Sequence, residues 1–439
     1  MRNLNRGIIT VATISLVVLL PKPGSAQSLS EAIRGALERS PEVAQQIAQA
    51  RSSIAVIDEA RSSRKPQVGV EAATGPAYRD RSVDGLSTGS GDTLFSRKAS
   101  LSVQQLLLDW GQSGRYVESA ELRSGFERLL VAEAREDQGL QIAENYIDLI
   151  RYRLLGQVYG QRLAFLEKQR VRATEREQAE GSTDEIILRG RIASAKADRI
   201  EYRRLESAIR KRLAHLTEIE FADVSFPPLP GEVVAGGNAT NSAQYKAALM
   251  AIQASEKTTE ALRKGNMPKV FLEARGGLGE DYLGIDGPDN DVSALLVFRW
   301  NPYEGGRKRA VIEQALAKEQ KDRAAAQEVL DAITDQVTVA REELGGAIER
   351  YNELHNSVID LRQAVENYEE RLDQGAEGAQ LLSVVAIYSE QSRAQADIVD
   401  AYTKQYKSAY RVLAASGKLL SYFGIQDPDG FADTISFGE

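Results

Sequence analysis

The stretch from Leu330 to Leu372 reads LDAITDQVTVAREELGGAIERYNELHNSVIDLRQAVENYEERL. Alternating steps of three and four residues through it always reach an apolar residue: Leu330, Ile333, Val337, Ala340, Leu344, Ala347, Tyr351, Leu354, Val358, Leu361, Val365, Tyr368 and Leu372. Heptad spacing kept for about six repeats predicts a coiled-coil helix, with Gly345-Gly346 as its weak point. Because a helix this long cannot bury its apolar stripe inside a compact domain, we expect it to lie along other long helices.

Composition and charge exclude several classes of protein. The 439-residue chain has a formal net charge of −8 and no basic block, so nucleic acid is not an expected partner. It has no cysteine, which excludes disulfides, thiolate metal sites and lipid attachment through an N-terminal cysteine. The two histidines, His215 and His355, lack a second ligand at metal spacing. We therefore predict no enzyme, no cofactor and no metal.

Acidic residues within the helices are predicted to be solvated rather than functional. The residues in question are Glu133, Glu136, Asp137, Glu342 and Glu343. They lie in amphipathic stretches, and charged side chains are rarely buried without a partner.

The first residues are predicted to be a secretory signal. Arg2 and Arg6 precede an apolar run from Gly7 to Leu20, and Gly24-Ser25-Ala26 fits a cleavage site. We assign residues 1–26 to this signal and begin the mature chain at Gln27. No later stretch is apolar for long enough to form a spanning helix, so any crossing of a membrane would have to use strands.

In two segments, apolar and polar residues alternate along the chain. Val68, Val70 and Ala72 point to one side of the first. In the second, Phe95, Ala99, Leu101 and Val103 share an apolar side, which Arg97 interrupts, and Ser96, Lys98, Ser100, Ser102 and Gln104 share the other. One apolar and one polar face over about ten residues is typical of a transmembrane barrel strand. An ordinary half-exposed hairpin would give the same pattern.

The rest of the first half is predicted to be helical. We expect one helix from Ser30, which caps it, to about Arg64, where Pro66 follows. A second helix should extend to about Glu180 and end at a turn at 181–184. A third helix should then run back alongside it to about Thr217. The segment from Tyr78 to Thr93, between the two strands, is predicted to be an exposed loop.

The same order of elements then repeats after a linker rich in proline and glycine at 221–241. A helix at 242–268 precedes strands at 270–274 and 292–300, a long helix follows, and a returning helix runs from about Leu381 to Tyr422. This predicts two structural repeats, at 27–220 and 242–423, and a C-terminal tail at 424–439. Four strands cannot close a barrel alone, whereas three chains would supply about twelve.

In the order and duplication of these parts, the chain resembles the TolC family of outer-membrane channel-tunnels. The resemblance rests on the strand-to-helix junctions at 108–111 and 305–307, the turns at 181–184 and 374–375, and the link at 227–230. It implies a mainly α fold with β: a homotrimer with a transmembrane β-barrel of four strands per chain on a long α-helical coiled-coil barrel. It also implies an outer-membrane location with a long periplasmic extension, a periplasmic adaptor and an inner-membrane ABC or RND transporter.

The resemblance also suggests where function is concentrated. Acidic residues near the helical turns close the periplasmic aperture in this family, which points to Asp184, Glu185 and Glu377. Gln380 is assigned to the aperture as well, although around it this chain lacks the aspartates that family members often have. Adaptor contacts would fall on Gly181, Gly375, Ala376 and Gly378. In the barrel, Ser96, Lys98, Ser100, Ser102 and Gln104 would line the pore, and Val70, Leu101, Val103, Leu272, Leu296 and Phe298 would face lipid.

Four functional alternatives remain at this stage. The chain could be the exit duct for type I protein secretion, or the outer-membrane part of a drug or metal efflux pump. A periplasmic adaptor is less favoured, because it should have one hairpin and flanking β-rich domains. A filamentous coiled coil would leave the signal and the two-faced strands unexplained.

Overall fold

The computed structural model describes residues 28–78, 82–83, 86–87, 93–177, 183–231, 237–281, 287–374 and 380–426. Its helices are α1 (Leu29–Arg39), α2 (Pro41–Ser62), α3 (Gln112–Glu177), α4 (Thr183–Thr217), α5 (Ala243–Lys264), α6 (Arg307–Asp373), α7 (Leu381–Ala415) and α8 (Leu419–Tyr422). Its strands are β1 (Gln67–Tyr78), β2 (Ser82–Val83), β3 (Leu86–Ser87), β4 (Thr93–Leu108), β5 (Lys269–Glu280) and β6 (Pro288–Arg299). Within these ranges, no helix combines the length and the hydrophobicity needed to cross a bilayer.

The predicted duplication of elements is confirmed. The long helices α3 and α6 have 66 and 67 residues, and the returning helices α4 and α7 have 35 each. Strands β1 and β5, which open the two halves of the sheet, have 12 residues each.

Contacts divide the chain into two compact units, and each unit draws on both halves of the sequence. Of the described residues, the first unit contains those up to Ala36 and those within Ile142–Leu229 and Ile348–Thr403. The second contains those within Leu37–Gln141 and Pro230–Ala347 and those from Lys404 to Gln426.

The first unit is built from the ends of both helical hairpins. Its core cluster takes Leu188 from α4, Leu372 from α6 and Leu381 from α7, with further residues of α3. Nearer its other end, the buried Tyr146 ring packs edge-on against Phe221 at a centroid distance of 6.2 Å. Since α3, α4, α6 and α7 all contribute to this one core, the two hairpins pack side by side in this unit.

The second unit contains the sheet, whose strand order is β1-β4-β5-β6, with every pair antiparallel. β2 and β3 pair antiparallel with each other, apart from the four-stranded sheet, within the segment predicted to be a loop. A helical core in the same unit joins Ile333, Val337 and Ala340 of α6 to Ala409 and Val412 of α7.

The heptad seam of α6 is confirmed. All of its positions are buried or half-buried except Tyr368, whose exposed fraction is 37%. The fully buried positions are Ile333, Val337, Ala340, Ala347, Val358, Val365 and Leu372.

The first predicted helix, Ser30 to Arg64, is wrong in two respects. It is two helices, because Ser40 adopts an extended conformation and caps α2 through Val43 N, while Pro41 occupies the first helical position. The cap of α1 is Ser28, not Ser30. Ser28 Oγ accepts the Glu31 N–H at 3.2 Å, and Glu31 Oε2 accepts the Ser28 N–H at 3.0 Å, which makes a capping box.

The last predicted helix, Leu381 to Tyr422, is also two helices. α7 ends at Ala415, and Gly417 takes a left-handed φ of +65° that a side chain would strain. The Lys418 N–H then bonds to the Leu413 carbonyl at 2.8 Å, and α8 begins.

The strands of the second half are longer than predicted, because β5 continues to Glu280 and β6 already begins at Pro288. Backbone pairing continues to Glu280 opposite Pro288. Pro288 is tolerated there because it is the first residue of its strand.

Candidate functional site

One face of the sheet is apolar and exposed. In register, Val70 lies opposite Leu101, and Leu272 lies opposite Leu296. Exposed fractions on this face include 79% for Val70, 70% for Leu296 and 64% for Phe298. The six residues predicted to face lipid, Val70, Leu101, Val103, Leu272, Leu296 and Phe298, all lie on this face by register. A contiguous apolar surface of this kind indicates contact with another apolar phase.

The opposite face is polar, and it carries the five residues predicted to line a pore. Ser96, Lys98, Ser100, Ser102 and Gln104 alternate with the apolar residues along β4 and lie opposite Gly75, Ala73, Glu71, Gly69 and Gln67 of β1. Ser100 is buried and Lys98 is half-buried. The Lys98 ammonium lies 3.7 Å from a carboxylate oxygen of Asp289 and 3.3 Å from one of Asp291.

The two strand-to-helix junctions are built alike. Asp109 accepts the N–H groups of Gly111 at 3.0 Å and Ser113 at 2.7 Å, which caps α3. Burial alone would raise the pKa of Asp109, but these hydrogen bonds outweigh it and lower the pKa below its usual value. At the second junction, Gly305 and Gly306 have left-handed φ values of +59° and +86°, as Gly111 does at +84°.

A tryptophan follows the sheet at each junction. The indole N–H of Trp110 donates to the Pro268 carbonyl at 2.8 Å, and that of Trp300 donates to the Asn266 carbonyl at 3.2 Å. Their exposed fractions are 50% and 53%. An amphipathic ring that is half exposed beside an apolar strand surface is typical of the interface between a membrane and water.

The residues predicted for the aperture and for adaptor contact are only partly described. Asp184 and Glu185 lie half-buried in the first turn of α4, where Arg189 Nε is 3.8 Å from Glu185 Oε1. Gln380 is exposed, and its carbonyl accepts the Ser383 N–H at the start of α7. The others, Glu377, Gly181, Gly375, Ala376 and Gly378, lie outside the described residues.

No protein-family model and no curated protein matches the sequence, but solved structures match its fold. VceC of Vibrio cholerae, an outer-membrane protein, superposes with a TM-score of 0.77 over 89% of this chain and 96% of its own, at 18% identity. The chain has the fold of the TolC-type outer-membrane channels. The MtrE outer-membrane channel of Neisseria gonorrhoeae has a TM-score of 0.73, 16% identity and 89% coverage of both chains. The CmeC outer-membrane channel of Campylobacter jejuni has a TM-score of 0.73 and 13% identity, with 89% of this chain and 86% of CmeC covered.

Sequence reasoning missed a polar network that ties α3 to α6 near the hairpin ends of this TolC-type fold. Glu369 Oε1 accepts a hydrogen bond from Gln169 at 3.0 Å and lies 3.6 Å from the Lys168 ammonium and 3.5 Å from the Arg172 guanidinium. Arg172 also lies 3.5 Å from Asp373. The pairs join residues about 200 positions apart, so no local pattern marks them.

The expectation that Glu133 and Glu136 lie on solvated faces is wrong for Glu136, and Glu133 is half-buried. Glu136 is buried, with an exposed fraction of 7%, and its carboxylate accepts the Leu419 N–H at 3.0 Å and the Leu420 N–H at 3.4 Å. Burial raises the pKa of Glu136 to about 7 despite these hydrogen bonds. Burial and the charge of Asp137 raise the pKa of Glu133 to about 7 as well. Through these hydrogen bonds, Glu136 of α3 holds the segment that follows α7 against α3.

Proposed function

We propose that the chain forms a homotrimeric channel in the outer membrane of a Gram-negative bacterium, where it is the exit duct for type I protein secretion or for efflux. The observation that carries the proposal is the two-faced sheet. Its strands of 12 to 16 residues exceed the roughly 9–11 that a tilted strand needs to cross a bilayer. The apolar face would contact outer-membrane lipid, and the polar face would line the pore.

The outer strands of this sheet support the proposal that three copies assemble. In the described part of the chain, β1 and β6 each pair with a single strand. Open strand edges are not stable in hydrocarbon, because no water satisfies their backbone groups. Three copies would close β1 of one chain against β6 of the next and give twelve strands, a size known among outer-membrane barrels.

The partners we propose are a periplasmic adaptor and an inner-membrane transporter of the ABC or RND type. VceC, MtrE and CmeC are named as outer-membrane proteins or channels, which supports a duct rather than an enzyme. The adaptor would pack against the small residues of the helical turns, Gly181, Gly375, Ala376 and Gly378. A drug or metal efflux pump is the alternative to type I secretion, and both use the same duct.

The channel proposal predicts two observations on the full-length protein. An outer-membrane fraction should contain a species that migrates as a trimer without heating and as a monomer after boiling. The purified trimer should give discrete conductance steps in planar lipid bilayers. A monomer that stays soluble in water without detergent would contradict the proposal.

The aperture assignment is tested in the same recordings. Neutralising Asp184, Glu185 and Glu377 together, as D184N/E185Q/E377Q, should lower the preference for cations roughly twofold or more, because rings of carboxylates attract cations into a pore. The matched control is E353Q, which neutralises an exposed carboxylate in the middle of α6. Equal conductance and cation preference in the wild type and the triple variant would refute the assignment.

A further inference from the structure

The polar face of the sheet carries a charge cluster that crosses three strands. Lys98 of β4 lies in one register row with Gly279 of β5 and Asp289 of β6. Asp291 lies one row closer to the helices. The Lys98 ammonium is 3.7 Å from Asp289 and 3.3 Å from Asp291. A side chain of β4 therefore reaches over β5 to pair with β6.

This crossing depends on glycine in the middle strand. A Cβ built on Gly277 would overlap Asp291 Oδ1 and lie 3.3 Å from Lys98 Cε, so any other residue here would require the side chains of the pair to move. Gly279, in the Lys98 row, likewise places no side chain between β4 and β6. The sequence of β5 therefore keeps open the space in which the cation and the two carboxylates meet.

The cluster hides its positive charge and presents its negative charges. The Lys98 side chain has an exposed fraction of 12%, against 45% for Asp289 and 39% for Asp291. Glu71 lies in the same register row as Asp291, because Ser100 and Gly277 connect the two across the sheet. The Glu71 side chain is exposed. These two rows thus carry three carboxylates and one ammonium, a net charge of −2 per chain.

Positive charge is found nearer the helices on the same face. Arg275, Arg299 and Lys269 lie there with Glu273, which forms an ion pair with Arg299. The polar face is therefore divided, with an acidic part at the end away from the helices and a basic part beside them.

We infer that, in the proposed trimeric channel, Lys98, Asp289 and Asp291 set the charge selectivity at the end of the barrel away from the helices. Three copies with Glu71 would give a ring of net charge −6 around the pore at this level. Low-dielectric walls focus the field of such a ring and raise the local concentration of cations. Lys98 is the positioning residue, because it holds both aspartates of β6 against the wall of the pore. The inference rests on the proposed function, since it needs the polar face to line a pore.

The test is the reversal potential of the purified full-length protein in planar bilayers under a tenfold gradient of KCl. D289N/D291N should lower the permeability ratio of potassium to chloride by roughly twofold or more, because the variant removes two carboxylates per chain. K98Q should raise the ratio, and K98R should leave it unchanged. Both shifts should grow as the salt is diluted, because the screening length rises from about 10 Å at 0.1 M to about 30 Å at 0.01 M.

E280Q is the matched control. Glu280 lies in register with Arg97, one residue from the Lys98 row but on the opposite face of the sheet, and pairs with Arg97 at 3.7 Å. Its neutralisation should leave the ratio unchanged. A wild type that forms no channel would overturn the proposed function and this inference with it. A conducting wild type whose ratio does not respond to D289N/D291N would overturn the inference alone. If the double variant gives no channels, K98Q decides in the same way: a raised ratio supports the inference, and an unchanged one overturns it.

Discussion

Replacing Leu101 with arginine is expected to abolish stable trimers in the outer-membrane fraction. Leu101 lies near the middle of β4 on the apolar face, opposite Val70 and Gly276, with an exposed fraction of 51%. An arginine on the lipid face of a barrel costs about 2–4 kcal/mol at the bilayer midplane. A trimer would bear this cost three times. Such a penalty is comparable to the whole stability of many domains, about 5–15 kcal/mol.

The matched control is Gln104→Arg on the same strand. Gln104 lies on the polar face between Gln67 and Glu273, so an arginine there would meet a carboxylate and the pore rather than lipid. The measurement is the amount of heat-modifiable trimer in the outer-membrane fraction. We expect little trimer for Leu101→Arg and nearly normal amounts for Gln104→Arg. Equal recovery of the two variants would show that the apolar face does not contact lipid.

The second large effect should come from pH acting on Glu136. Burial raises the pKa of Glu136 to about 7, the hydrogen bonds from Leu420 and Leu419 oppose the rise, and the charges of Glu133 and Asp137 add to it. Because the folded-state pKa lies above the unfolded value of 4.5, the folded state binds the proton more tightly. This contribution to stability is fully present below about pH 4.5 and is lost as the pH rises through about 7.

The free energy of unfolding should therefore fall between pH 5 and pH 8. One pKa unit corresponds to about 1.4 kcal/mol, so the loss from Glu136 should be of the order of 3 kcal/mol. E136Q removes the titration of Glu136 but keeps one acceptor oxygen for the backbone. It should therefore weaken the dependence in this window and leave the part that comes from Glu133, whose pKa is also raised to about 7. Amide exchange of Leu419 and Leu420, corrected for the intrinsic effect of pH, provides the local measurement. E342Q, at an exposed position of α6, should retain the wild-type dependence, and an E136Q variant that also retains it would contradict the assignment.

The regular parts of the fold were predictable because they follow from repeating patterns. The heptad positions of α6 and the alternation along β4 each occur in one continuous stretch, and the structure confirms both. The breaks at Ser40-Pro41 and Gly417 were missed because the apolar spacing continues across them. A prediction from periodicity depends on apolar residues alone, whereas these two helix boundaries depend on the Ser40 cap and on the left-handed Gly417.

The polar contacts could not be predicted, because their partners are distant in sequence. Glu369 meets Gln169 about 200 residues away, and Glu136 meets Leu419 across 283. The pairing of Lys98 with Asp291 requires the register of three strands and the glycine between them. The sequence shows which polar residues are present. Which of them become neighbours depends on how distant helices and strands pack together, and no local pattern indicates that packing.

Trp110 and Trp300 are the two tryptophans of the whole chain. Both follow the ends of strands, β4 and β6, on the side of the sheet where the long helices begin. The indole of each donates a hydrogen bond to a backbone carbonyl of the segment that precedes β5. The tryptophan fluorescence of the protein, excited selectively over its 16 tyrosines, therefore reports on a single level of the molecule. In the proposed channel, lipids brominated at successive depths should quench this emission most strongly near the headgroups. One spectroscopic titration would then measure the depth of this end of the sheet in the bilayer without any attached label.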